Sequence, residues 1–159
     1  MGVRSAAKAI ILDGDKVLLN KCRDEPNGDY YSLPGGGQEK YETLFEALVR
    51  ECREETGYHV KPMRFAALME EICDDPFIRE TYPDYAHKML HIFVCTLASQ
   101  RVSEPTETDE SQIACEWVAV DRISSVNLLP KALKQHFSEL LTGKNALFLG
   151  SEHIPHNHG

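Results

Sequence analysis

Apolar and polar positions along the chain change period where the elements change. Residues 6–12 are apolar and partly β-branched, residues 17–22 form a second such run, and Asp13-Gly14-Asp15 lies between them. That pattern predicts an opening hairpin. A polar loop follows at 23–29, then a short strand at 30–33 and a tight loop, Pro34-Gly35-Gly36-Gly37. Residues 43–56 switch to a helical period. Thr43 followed by Glu46 resembles a capping box, and Gly57 stands where a helix stops. Residues 58–71 read as extended, 73–86 as a long loop, 88–98 as a strong strand, and 100–111 as an acidic loop. Residues 112–120 form another strand, which carries Trp117, and 128–141 an amphipathic helix. The segment 143–159 is expected to be a partly ordered tail, so that one domain spans 1–142. His153, His156 and His158 lie in that tail and are read as terminal residues rather than as a metal site.

Strands, a helix, more strands and a final helix predict an α/β fold: a mixed sheet with helices on its faces. The 159 residues suffice for one domain with a substantial core. The apolar run at 89–98 is too short for a membrane span, and the N-terminus lacks a signal-peptide pattern, so a cytoplasmic protein is expected. A net charge of −8 disfavours nucleic-acid polymers and anionic membranes as partners. The five cysteines include no C-x-x-C pair, which points to small buried residues rather than to disulfides or zinc.

The chemistry concentrates in residues 36–58. On a helical wheel Phe45, Leu48, Val49, Cys52 and Thr56 form a mostly apolar stripe that should face the sheet. Glu51, Glu54 and Glu55 share a sector about 100° wide beside it. Arg50 lies one turn from both Glu46 and Glu54. Crowded carboxylates near a helix C-terminus repel one another and oppose the helix dipole. A divalent cation relieves both effects, and hard oxygen ligands suit Mg²⁺ or Mn²⁺. A solvated acidic face would carry the same residues, but the glycine loop before the helix lets backbone groups approach a phosphate or metal closely.

Gly36-x5-Glu42-x7-Arg50-Glu51-Cys52-Arg53-Glu54-Glu55-Thr56-Gly57-Tyr58 resembles the Nudix box, G-x5-E-x7-R-E-U-x-E-E-x-G-U, where U is a bulky aliphatic residue. Every charged and glycine position matches. Leu33-Pro34-Gly35 before it and Trp117-Val118-Ala119-Val120-Asp121 after it also resemble the family, loosely over 5–140. Cys52 and Tyr58 depart from the aliphatic positions, and Tyr41 stands where many members have Gly. The resemblance implies a Nudix-type α/β/α sandwich with a central mixed sheet. It implies metal ligation by Glu51, Glu54, Glu55 and the Gly35 carbonyl, Arg50 holding the carboxylates, and Glu42 bracing the loop. It also implies an acid from outside the box: Glu110 is the choice, with Glu107 and Asp109 as rivals. Glu54 is taken as the general base, with Glu51 or a loop acid close behind.

The implied activity is metal-dependent hydrolysis of a phosphoanhydride in a nucleoside diphosphate linked to another moiety: a nucleoside triphosphate, ADP-ribose or a nucleotide sugar. Gly36 and Gly37 would border the phosphates. Lys21 and Arg23 are candidates to grip a distal phosphate, or are ordinary surface charges. Phe77, Tyr82 and Tyr85 either stack on a base or fill space beneath a loop. The partner is a small nucleotide, and family habit alone suggests a homodimer. The alternative is a catalytically silent Nudix-fold module that binds a nucleotide and regulates; the intact acids disfavour it. RNA decapping is disfavoured by the acidic balance.

Overall fold

The computed structural model describes residues 2–106 and 110–158. The chain runs β1 (Arg4–Asp13), β2 (Lys16–Asp24), β3 (Gly28–Ser32), β4 (Gly35–Gly37), α1 (Leu44–Thr56), β5 (Tyr58–Cys73), α2 (Pro76–Thr81), β6 (His87–Val102), β7 (Gln112–Ala119), α3 (Lys131–Gln135), α4 (Phe137–Thr142) and β8 (Leu147–Ile154). Short 3₁₀ stretches occupy Pro83–Tyr85 and Val120–Ser125.

The opening hairpin turns at Gly14, whose φ of 61° is left-handed. β1 and β2 pair only near this turn, from Ile11 opposite Leu18 to Asp13 opposite Lys16. Farther back, the same edge of β1 is taken by β4, with Ala6 opposite Gly37 and Lys8 opposite Gly35. The other edge of β1 runs parallel to β6; β6 is antiparallel to β5, and β5 is parallel to β8. β2 carries β3 and β7. The sheet is therefore mixed.

Period-two alternation sends neighbouring side chains to two cores. Ala7, Ala9 and Ile11 of β1, with Phe93 and Cys95 of β6, face Ala47, Leu48 and Cys52 of α1. Ala6 and Ile10, with Leu90 and Ile92, face Leu133, Phe137 and Leu140 of the C-terminal helices. Each buried side chain of leucine size contributes about 1.5–3 kcal/mol. Helices on both faces make the expected α/β/α sandwich.

Three segments differ from expectation. The loop at 73–86 contains α2, because Asp75 accepts from the Phe77 N–H and Pro76 fits a first helical turn. The helix at 128–141 is two short helices: Pro130 delays the start, and His136, at φ −106° and ψ 8°, interrupts it. The tail carries β8, in parallel register with β5 from Ala67 opposite Leu147 to Cys73 opposite Ile154. Gly150, at φ 84°, and a register shift between Leu68 and Glu70 hide its alternation.

Candidate active site

Helix α1 positions the acids. Thr43 caps it by accepting from the Glu46 N–H at 3.1 Å, and the Glu46 carboxylate accepts from the Thr43 hydroxyl at 3.1 Å. Gly57 closes it in the left-handed conformation at φ 78°. The buried face is Ala47, Leu48, Cys52, Glu55 and Thr56. Phe45, expected on that face, is 54% exposed and meets Phe93 edge-on. Glu55 is buried because polar groups receive it: its Oε1 accepts from the Gly35 N–H at 2.9 Å and the Asn20 amide at 3.2 Å.

Arg50 organises the rest. Its Nε and Nη2 reach the two oxygens of Glu42 at 2.7 and 2.9 Å, and Nη2 also donates to the Gly37 carbonyl at 3.1 Å. Its Nη1 donates to Glu51 at 2.9 Å and to Glu54 at 3.3 Å. The hydrogen bond from Arg50 holds the Glu42 carboxyl below the usual carboxylate range, and the same bond pushes the Arg50 pKa up. Glu42 thus fixes the guanidinium, and the guanidinium gathers Glu51 and Glu54.

Strand β4 has no side chains, and both of its faces are used. A Cβ on Gly36 would stand 2.6 Å from the Glu51 carboxyl. A Cβ on Gly37 would collide with the guanidinium of Arg4. Successive strand residues face opposite ways, so the acids pack on one face of β4 and Arg4 on the other. The Gly35 carbonyl, an expected metal ligand, accepts from Lys8 Nζ at 3.3 Å.

A cleft of about 520 Å³ joins the two faces. Glu39, Glu51, Glu54 and Glu55 line it, as do Arg4, Lys8 and Lys88. Ile78, Tyr82 and Tyr85 border it from the segment after β5, and Asn157 and His158 from the tail. Register places Arg4, Lys88, Glu71 and Glu152 in one row across β1, β6, β5 and β8. Lys88 Nζ lies 3.7 Å from the buried Glu71, and His158 Nε2 lies 3.1 Å from Glu71 Oε2 without a well-directed hydrogen bond. Burial lowers the pKa of both Lys88 and His158, and Glu71 opposes each shift.

Several expected residues lie elsewhere. Lys21 and Arg23 do not line the cleft; Lys21 sits between Tyr31 and Ala114 on β2, and Arg23 pairs with Asp29 at the exposed end of the β2–β3 hairpin. Glu110 is exposed in the turn before β7 and does not line the cleft either. Glu107 and Asp109 fall outside the described residues. Tyr82 and Tyr85 border the cleft, whereas Phe77 packs edge-on against Tyr82. The three tail histidines do not converge: His153 faces Asp74, His156 faces Asp75 and His158 faces Glu71. Cys52 and Tyr58 both serve packing, Cys52 in the core under α1 and Tyr58 edge-on to Trp117. Tyr41 keeps a left-handed φ of 71° although it is not glycine. Sequence reasoning missed Arg4, Lys8, Lys88, Glu71 and Glu39. Charged residues inside predicted strands were the available signal for Lys8, Lys88 and Glu71, whereas Arg4 precedes the strand expected at 6–12 and joins β1 only in the structure.

No three His, Cys, Asp or Glu side chains among the described residues already converge as a cation site. The donor set still fits a hard divalent cation. Glu51 and Glu54 both accept from one guanidinium nitrogen, so a single positive group already bridges them, and Gly36 leaves room beside Glu51.

Comparison with known proteins agrees with this arrangement. The model of the NUDIX domain matches residues 2–141. An ADP-ribose pyrophosphatase of Methanocaldococcus jannaschii is 46% identical over 52 residues, covering 33% of this chain and 31% of the relative. Phosphatase NudJ of Escherichia coli K12 is 30% identical over 106 residues, covering 65% of this chain and 60% of the relative. The chain thus spans less than two thirds of the length of either curated relative. The solved NUDIX hydrolase from Nitrosomonas europaea superimposes with a TM-score of 0.71 at 19% identity, covering 91% of this chain and 93% of that one, which shows the shared fold. Box, fold and family match coincide, and the chain belongs to the Nudix family.

Proposed function

We propose that this chain hydrolyses a phosphoanhydride bond in a nucleoside-diphosphate-linked compound, with Mg²⁺ or Mn²⁺ held by Glu51, Glu54, Glu55 and the Gly35 carbonyl. The observation that carries the reading is the Arg50 clamp: it gathers Glu51 and Glu54 at the wall of a cleft that also holds cations. The names of the two curated relatives, a pyrophosphatase and a phosphatase, support the same chemistry.

A bound divalent cation would neutralise phosphate charge and lower the pKa of a water molecule. The protein supplies the rest. Glu54 accepts the proton of the attacking water. The water oxygen forms a bond to phosphorus, the bridging P–O bond breaks, and its electron pair leaves with the departing phosphate. Arg50 keeps Glu51 and Glu54 in place throughout, and Glu55 holds the Gly35 N–H so that β4 keeps its position. Glu39 is the further acid lining the cleft among the described residues, and it replaces Glu110 as the candidate from outside the helix.

The test is Glu54→Gln assayed with Mg²⁺ against a panel of nucleotides with products resolved. The expected result is a fall in kcat of about 100-fold or more with an unchanged melting temperature. Retained turnover removes Glu54 as the base. If wild type cleaves no diphosphate compound yet binds one, the regulatory-module reading replaces this one.

A further inference from the structure

The acids account for one face of β4; on the other face Arg4 and Lys88 line the cleft, with the buried Glu71 behind Lys88. Arg4 stands over the Tyr85 ring at 4.6 Å from its centroid and against Gly37. It makes no ion pair with a carboxylate among the described residues. Its register partner across β1 and β6 is Lys88, whose nearest acid is the single buried Glu71. Lys8 lines the same cleft four pairs farther along β1 and donates to the Gly35 carbonyl. Arg4 and Lys88, side by side in a half-buried wall, repel each other unless an anion joins them. A guanidinium also presents a planar fork of donors that matches phosphate oxygens. A neutral sugar would leave these donors without charge compensation.

We propose that Arg4 and Lys88 form a phosphate subsite across β4 from the acids, so that the substrate carries a phosphate beyond the anhydride being cleaved: a nucleoside triphosphate or longer polyphosphate rather than a nucleotide sugar. Glycine makes this reach feasible. Because β4 has no side chains, a phosphate chain can pass its edge from Glu51 to Arg4 without a side chain between them. Tyr85 holds the guanidinium from outside, and Tyr82, 53% exposed beside the cleft, offers a ring face to a base. The subsite rests on the hydrolase reading for its consequence in turnover, but its anion binding stands apart from catalysis.

The experiment has a kinetic arm and a binding arm. KM and kcat are measured for a nucleoside triphosphate and for ADP-ribose with wild type, Arg4→Gln, Arg4→Lys and the paired Lys88→Gln/Glu71→Gln variant, which removes both buried charges together. Arg4→Gln should raise KM for the triphosphate about tenfold or more with kcat little changed, Arg4→Lys should recover part, and ADP-ribose should be little affected. In the second arm, inorganic tripolyphosphate is titrated calorimetrically into the same proteins with Mg²⁺ present. Wild type should bind it, and Arg4→Gln and the paired variant should bind it about tenfold more weakly or worse. Weakened tripolyphosphate binding without hydrolysis of any nucleotide upholds the subsite and removes the hydrolase reading. An unchanged triphosphate KM in Arg4→Gln, an equal rise for ADP-ribose, or no difference in tripolyphosphate binding overturns the subsite.

Discussion

The two sides of β4 are built in different ways. The acids come from a single helix: Glu51, Glu54 and Glu55 lie within two turns, and the Arg50 that gathers Glu51 and Glu54 is their neighbour. The cations come from strands distant in sequence, and only sheet register brings Arg4 beside Lys88. The acidic side is an intrinsic property of α1. The basic side exists only when the sheet is assembled. The difference also appears in how charge is balanced. The acids are met by a guanidinium within the same helix, whereas Lys88 has one buried Glu71 and Arg4 has an aromatic ring.

The sharpest way to break the comparison is to remove the clamp. Arg50→Ala should lower kcat by about 100-fold or more and destabilise the fold by about 2–3 kcal/mol, because Glu42 loses its bidentate partner in a half-buried site. Urea melts and steady-state kinetics check both numbers; a stable, active Arg50→Ala would show that α1 holds its acids unaided. A subtler pair of variants separates the two faces. Gly36→Ala puts a methyl group against the movable Glu51 carboxylate and should cut kcat by about tenfold to 100-fold. Gly37→Ala puts one against Arg4 and should act on KM, by about tenfold. If both variants change the same parameter, the faces are not functionally distinct.

The smallest expected effect concerns His158. Burial, opposed by Glu71, lowers its pKa, while Lys88 and Lys8 add to the lowering and Asp24 opposes it. The folded state therefore favours the neutral ring. Its contribution to stability is fully present above the ordinary histidine value of about 6.5 and is lost as pH falls through the lower folded value. An NMR titration should find His158 changing below that ordinary value, with the tail losing its fixed position over the same range. A midpoint at or above it would mean that the ring is not buried beside Lys88.

How much of this was legible in the sequence follows the same division. The hairpin, α1 with its cap and stop, and the box acids could be read because each depends on neighbours in sequence. Lys21 and Arg23 were candidates because they stand at the end of the second strand, but neither lines the cleft. Lys8 and Lys88 looked like ordinary polar positions in strands, and Arg4 lay before the expected one; their meaning depends on parallel pairing of β1 with β6, which no local pattern encodes. β8 was hidden by Gly150 and by the parallel register that gives it its place. Phe45 failed as a core residue because Ala47, small enough to let α1 approach the sheet, took the inward position.

The glycine strand also has a consequence for local opening. Three consecutive glycines give up more backbone freedom on ordering than any other residues, and β4 buries no side chain in return. What retains it is its register with β1 and the polar bonds that reach it from Glu55, Lys8 and Arg50. Those bonds come from charged side chains, whereas the layers beneath are held by apolar burial. The segment nearest the chemistry should therefore fray independently of global unfolding, at a free energy set by charge rather than by the core.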